Sequence, residues 1–90
     1  MKPKRYQAVI EVLLRPGVFD PQGQAVTAAL HALGHDAVED VRVGKLVRVM
    51  VSAENAEAAR ALAEQMCREL LANPVLENYQ VRVEEAGVAH

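Results

Sequence analysis

Valine occupies every second position on both sides of Gly44–Lys45: Val41 and Val43 before it, Val47, Val49 and Val51 after it. Alternation puts one set of side chains on one face of a strand, and branched residues suit that pleated surface. A glycine-led pair between two such runs is a turn signal, weaker than Asn-Gly. The pattern predicts a hairpin over Val38–Ser52, and with it an antiparallel sheet with one apolar face. The remaining elements must cover that face.

Two further runs alternate. In Arg5–Arg15, Tyr6, Ala8, Ile10, Val12 and Leu14 share one side, and Gln7, Val9, Glu11, Leu13 and Arg15 the other. Glu77–Glu84 is a last strand, with Tyr79, Val81 and Val83 together. Between the strands lie two stretches of helical spacing. The first is capped by Asp20, has Pro21 at its first position and Gly34 just past its end, and carries Ala25, Val26, Ala29, Leu30 and Leu33 as a stripe. The second runs from about Asn55 to Ala72 through Ala59, Leu62, Ala63, Met66, Cys67 and Leu70, and Asn73–Pro74 stops it. The order is β-α-β-β-α-β. Its expected solution is an α+β, ferredoxin-like two-layer sandwich: an antiparallel sheet with two helices on one face. A chain of 90 residues is read as one domain, ordered over about 5–85, with Ala86–His90 as a frayed tail.

If both helices sit on one face, the other is bare. It would carry Val9, Leu13, Leu46 and Met50 among Gln7, Glu11, Arg15, Arg42, Arg48, Gln80 and Arg82. Arginine mixed with aliphatic residues is a common interface composition. The expectation is that the chain docks on another protein or on itself.

Composition removes several function classes. A net charge of −2, with both signs mixed along the chain, offers no basic field for nucleic acid. Tyr6, Phe19 and Tyr79 are the only aromatic residues, too few for a base-stacking platform. One cysteine, Cys67, excludes an intrachain disulfide and paired-cysteine zinc sites. The apolar runs are too short for a membrane span or a secretory core, so the expected location is a bacterial or archaeal cytoplasm.

The residues that carry chemistry elsewhere are poorly arranged for it here. His31 and His35 lie near a helix end with no third ligand at metal spacing. Cys67 falls on the apolar side of its helix and reads as a buried structural thiol. Asp36, Glu39 and Asp40, and the glutamates of the second helix, make no convincing acid–base pair. The corner "LLRPGVFDPQG" is the one place with anion-binding potential, through Arg15 and the N–H groups near Gly23. Asp20, as cap, takes one donor and repels an anion, so a shaped corner without ligand is the preferred reading. No catalytic residue and no metal ligand is assigned.

Three stretches are familiar together: "VLLRPGVFDPQGQAV", "LGHDAVEDVRVGK" and "CRELLANPVLENYQVRVE". In order and spacing they resemble the PurS family, small subunits of phosphoribosylformylglycinamidine synthase from bacteria and archaea. The resemblance covers Tyr6–Glu84, with Phe19 where the family often has leucine. It implies a subunit without an active site or cofactor of its own. The complete enzyme joins it to a glutaminase subunit, which releases ammonia, and to a large synthetase subunit. That subunit uses ATP and Mg to form the amidine in de novo purine synthesis. The small subunit would bridge the two, support ammonia transfer, and self-associate to a dimer or tetramer. The resemblance makes three corners candidates for partner binding. They are Arg15 with Gly17, Asp20, Pro21, Gln22 and Gly23; the hairpin tip Arg42, Gly44 and Lys45; and Asn73, Pro74 and Glu77. For each residue, local backbone shaping is at least as good an explanation.

The same element order also occurs in ligand-sensing domains of the ACT type, which remain the alternative. An acylphosphatase-like enzyme would need an asparagine that the paired hairpin lacks, and a metal chaperone of this fold needs a cysteine pair.

Overall fold

The computed structural model describes residues 3–86. β1 (Lys4–Leu14) leads to α1 (Pro21–Ala32), β2 (Lys45–Ala53), α2 (Ala56–Met66), a π-helical turn over Cys67–Leu71, and β3 (Glu77–Glu85). The sheet is three-stranded and antiparallel, in the order β2-β1-β3. The longest and most apolar strand is central. Ile10 faces Val47 on one side and Val81 on the other, and Ala8 faces Val49 and Val83.

α2 covers one face of this sheet. Asn55 caps it, its side-chain oxygen accepting from the Ala58 N–H at 2.7 Å. Ala59, Ala63 and Cys67 recur along its inner side, and all three are completely buried. Such small side chains let the helix sit close on Ala8, Ile10 and Val12. Ile10 and Val12 are the largest wholly buried aliphatic residues, each worth about 1.5–3 kcal/mol of burial. The Ala72 N–H donates to the carbonyl of Cys67, five residues back, at 3.0 Å. This widened last turn brings Ala72 into the core and leaves Leu70 83% exposed.

The α+β class, the antiparallel sheet and both helices agree with the sequence. Two finer expectations do not. Val38–Val43 is not a paired strand: only the second half of the expected hairpin, from Lys45 onward, joins the sheet. Lys45 already pairs with Val12, so no loop remains in which the chain could reverse. Accordingly Val41 and Val43 are not among the residues beneath α2, although Val47, Val49, Val51, Val81 and Val83 are. The second difference concerns α1, which packs to no more than a marginal extent on any strand or on α2. Gly23 is its one buried residue, while Val26 and Leu33 lie open. Two helices on one face therefore reduces, within one chain, to one.

The opposite face of the sheet is bare, as expected, with Leu13, Leu46 and Met50 about half exposed. Val9 is the exception at 3% exposure. It lies between Arg48 and Arg82 in register, and long side chains of this type cover apolar neighbours with their stems.

Candidate functional site

The three corners picked out in the sequence meet at one end of the sheet. Gly17 turns the chain after β1 with φ of 87°, a conformation that glycine adopts without strain. The Val18 N–H closes the turn onto the Arg15 carbonyl at 3.0 Å. On one side of it stands the Asn73–Glu77 corner, and on the other the Val41–Gly44 segment.

Arg15 joins the first pair. Its backbone N–H donates to the Leu76 carbonyl at 2.8 Å, and its guanidinium donates to the Pro74 carbonyl. The corner it holds is braced internally. Glu77 Oε1 accepts from the Asn73 N–H at 2.7 Å, and Asn73 Oδ1 accepts from the Val75 N–H at 3.0 Å. The glutamate and the asparagine are thus accounted for by backbone shaping, whatever else they touch.

Asp20 joins the second pair. Oδ1 accepts from the Gly23 N–H at 2.9 Å, which is the expected cap. Oδ2 accepts from the Val43 N–H at 2.8 Å, which periodicity could not reveal. The two backbone bonds, that from Gly23 first, hold the Asp20 carboxyl below its ordinary value; nearby Arg42 assists and burial opposes. Arg42 in turn donates to the Val18 carbonyl. Gly23 has room for no Cβ, because the Val41 carbonyl and the Asp20 carboxylate press on it. Gly44 is equally confined, against the Val12 carbonyl and the Leu13 side chain.

Asp20, Gly23, Arg42 and Gly44 are therefore internal fasteners. Lys45 and Gly44 form no hairpin tip, since Lys45 is the first residue of β2. Pro21, Gln22, Lys45 and Pro74 are exposed and keep their side chains turned to solvent. Beside them lie two apolar side chains that the motif reading passed over as partner candidates: Phe19 at 68% exposure and Val75 at 77%. Their only sequence signal is a large apolar residue inside a turn. A cavity of about 500 Å³ opens between the fastened corners, walled by Leu13, Leu14, Pro16, Gly17, Arg42 and Tyr79 among others.

His31 lies apart from this region and donates from Nε2 to the Val38 carbonyl at 2.7 Å, which closes the loop after α1. Cys67 is fully buried, and burial, with Glu64 nearby, raises its pKa while Arg68 opposes. Among the described residues no three His, Cys, Asp or Glu side chains gather as a metal site would require. No helix there is long and apolar enough to cross a membrane.

Residues 7–85 match the family model PurS, phosphoribosylformylglycinamidine (FGAM) synthase. The chain belongs to the PurS family. The PurS subunit of phosphoribosylformylglycinamidine synthase from Bacillus subtilis is 40% identical over 80 residues, covering 89% of this chain and 94% of the relative. That from Methanocaldococcus jannaschii is 36% identical over 80 residues, covering 89% and 96%. The crystal structure of the Thermotoga maritima purS subunit superposes with a TM-score of 0.84 at 34% identity, covering 93% and 97%. A PurS-like chain in the structure of PurLQS from the same organism gives 0.81 at 36% identity, covering 89% and 98%. The match begins and ends with the sheet, so it includes every corner described above.

Proposed function

We propose that this chain is the PurS subunit of a phosphoribosylformylglycinamidine synthase in purine biosynthesis, and that it assembles with a synthetase subunit and a glutaminase subunit. The observation that carries this is similarity over about nine-tenths of the chain, in sequence and in structure, to PurS chains, one of which was solved within a PurLQS assembly. In this reading the chain performs no bond chemistry. It holds the two larger subunits in register and supports the passage of ammonia between them. ATP and Mg belong to the synthetase, and the complex works in the cytoplasm. The braced corners at the end of the sheet are its docking surface: Arg15–Gly23, Arg42–Lys45 and Asn73–Glu77 present Gln22, Lys45, Pro74, Phe19 and Val75 on a hydrogen-bonded backbone. The bare sheet face serves self-association to a dimer or tetramer. Family membership supersedes the ligand-sensing alternative, which drew on element order alone.

Reconstitution with the cognate synthetase and glutaminase tests the reading. Glutamine-dependent amidine formation is expected to require this chain, while ammonia-dependent formation largely does not. Indifference of both rates to the chain would overturn it.

A further inference from the structure

We propose that the cavity between the braced corners takes up an arginine side chain of one of the two larger subunits. This rests on the assembly proposed above and names what the cavity recognises in it.

The cavity holds about 500 Å³, the size of pockets that enclose a guest of defined shape. Leu13, Leu14 and Pro16 give it apolar walls. A second cavity of about 440 Å³ adjoins it, with Gly17, Asp40 and Arg42 common to both. Phe19 belongs to the second. Leu13 is 46% exposed and Phe19 68%, so the apolar lining runs out onto the surface. A partner protein covers such a rim, whereas a free small molecule leaves it wet.

Charge decides the guest. The walls hold four carboxylates, those of Glu11, Asp20, Glu39 and Asp40, and one guanidinium, that of Arg42. Three of these groups are spent within the corner. Asp20 accepts from the Gly23 and Val43 N–H groups. Arg42 donates to the Val18 carbonyl and lies 3.7 Å from Asp40. Glu11 and Glu39 have no ion pair and no side-chain hydrogen bond among the described residues. In register Glu11 stands between Leu46 and Gln80. The cations nearest to it on that face, Arg48 and Arg82, flank Val9 instead, and Glu84 holds Arg82 at 2.9 Å. An anionic guest meets repulsion from two unpaired carboxylates. A neutral one leaves them covered without a counter-charge, which is costly. A cation on a long apolar stem satisfies the carboxylates and the apolar walls together.

Within that class a guanidinium fits better than an ammonium. Its planar fork can donate to a carboxylate and to the side-chain oxygens of Asn78 and Gln80 at once, and it stacks on an aromatic ring such as that of Phe19. Arginine is also a frequent anchor where one protein fills a pocket of another. The site lies at the corner end of the bare sheet face, so Gln7, Val9, Arg48 and Met50 at the other end stay free for self-association.

Binding of the intact chain to the cognate synthetase and glutaminase, under assay conditions, tests this. Glu11→Gln combined with Glu39→Gln removes both free charges at nearly constant shape. This double variant is expected to bind the larger subunits at least about tenfold more weakly, with its Tm and its own mass in light scattering unchanged. In the wild-type complex Glu11 and Glu39 are expected to be shielded from carbodiimide labelling. One arginine of a larger subunit is expected to resist phenylglyoxal there, and to react again when the double variant replaces the wild type. Unchanged affinity of the double variant would overturn the cavity's role and leave the assembly standing. So would a change in the chain's own mass with partner binding intact, or a wild-type complex in which both glutamates label as in the free chain. No binding of the wild type would overturn the assembly and the cavity's role with it. The carbodiimide readout needs only the wild type, so a variant that fails to fold does not blunt the test.

Discussion

The Val43 N–H donates to the carboxylate of Asp20 at 2.8 Å, across 23 residues of chain. The same carboxylate caps α1 through the Gly23 N–H. One side chain therefore fixes both where the helix starts and where the following segment lies, although Asp20 is only 8% exposed.

That double acceptance sets a pH dependence. The folded pKa of Asp20 is below its ordinary value of 3.8, chiefly through the Gly23 and Val43 bonds. A depressed carboxylate adds stability that is fully present above the ordinary value and is lost as pH falls through the folded one. Asp20→Asn can still cap with its single carbonyl oxygen, but its amide nitrogen cannot accept from the second N–H. Its Tm is expected to lie several degrees below wild type at pH 7, with the gap shrinking below about pH 4. Thermal melts from pH 2.5 to 7 check this; a gap that is constant with pH would show that the carboxylate charge is not involved.

Gly23 and Gly34 predict opposite kinds of failure. Gly23 lies inside α1, where alanine ordinarily gains about 1 kcal/mol. Here the added Cβ meets the Val41 carbonyl and the Asp20 carboxylate, so Gly23→Ala is expected to lose about 1–3 kcal/mol instead. Gly34 has open space around it but φ of 98°, and Gly34→Ala costs about 1–2 kcal/mol of backbone strain only. Urea titrations distinguish them: only the Gly23 variant should also lose the Val43 amide's protection from hydrogen exchange.

The division between what could and could not be read in the sequence follows the same lines. Period-two and period-3.6 patterns identify β1, β2, β3 and both helices, because Ile10, Val49, Val81, Ala59 and Ala63 each answer to a face of their own element. The cap Asp20 and the stop at Gly34 were legible because they act within a few residues, whereas Asn55 was read only as the approximate start of its helix and its capping bond to the Ala58 N–H comes from the structure. That Val41 and Val43 stay outside the sheet was not. Alternation says that a segment suits a strand, never which strand lies beside it. Likewise the stripe of α1 marks an apolar side of the helix, not whether the chain's own sheet meets it. At the site, Arg15 and Asn73 were picked out, but that one reaches the corner held by the other depends on β1 and β3 being neighbours. Phe19 and Val75 were not singled out for partner contact because an exposed apolar side chain has no pattern.

Cys67 offers a probe of the core. It is wholly buried against β1, and its raised pKa leaves less thiolate at any pH. Alkylation by iodoacetamide at pH 8 is expected to be on the order of a hundredfold slower than for the unfolded chain, since it waits on opening of the segment. Labelling at the unfolded rate would mean that the π-helical turn is open in solution.

Arg15 and Lys45 separate shaping from contact. The Arg15 guanidinium donates to the Pro74 carbonyl, while its backbone bond to Leu76 survives truncation, so Arg15→Ala is expected to cost about 1 kcal/mol of stability and to weaken assembly through a loosened corner. Lys45 is exposed and no hydrogen bond or ion pair of its side chain appears among the described residues, so Lys45→Ala is expected within about 0.5 kcal/mol of wild type. If Lys45 meets the larger subunits, its loss still slows their association a few-fold, with an effect that fades as salt rises, as for a charge at an interface rim. Binding kinetics to the synthetase and glutaminase at two ionic strengths decide it. Unchanged rates with an intact fold would remove Lys45 from the docking surface, and the burden of recognition would then fall on Phe19 and Val75, whose truncation salt should not rescue.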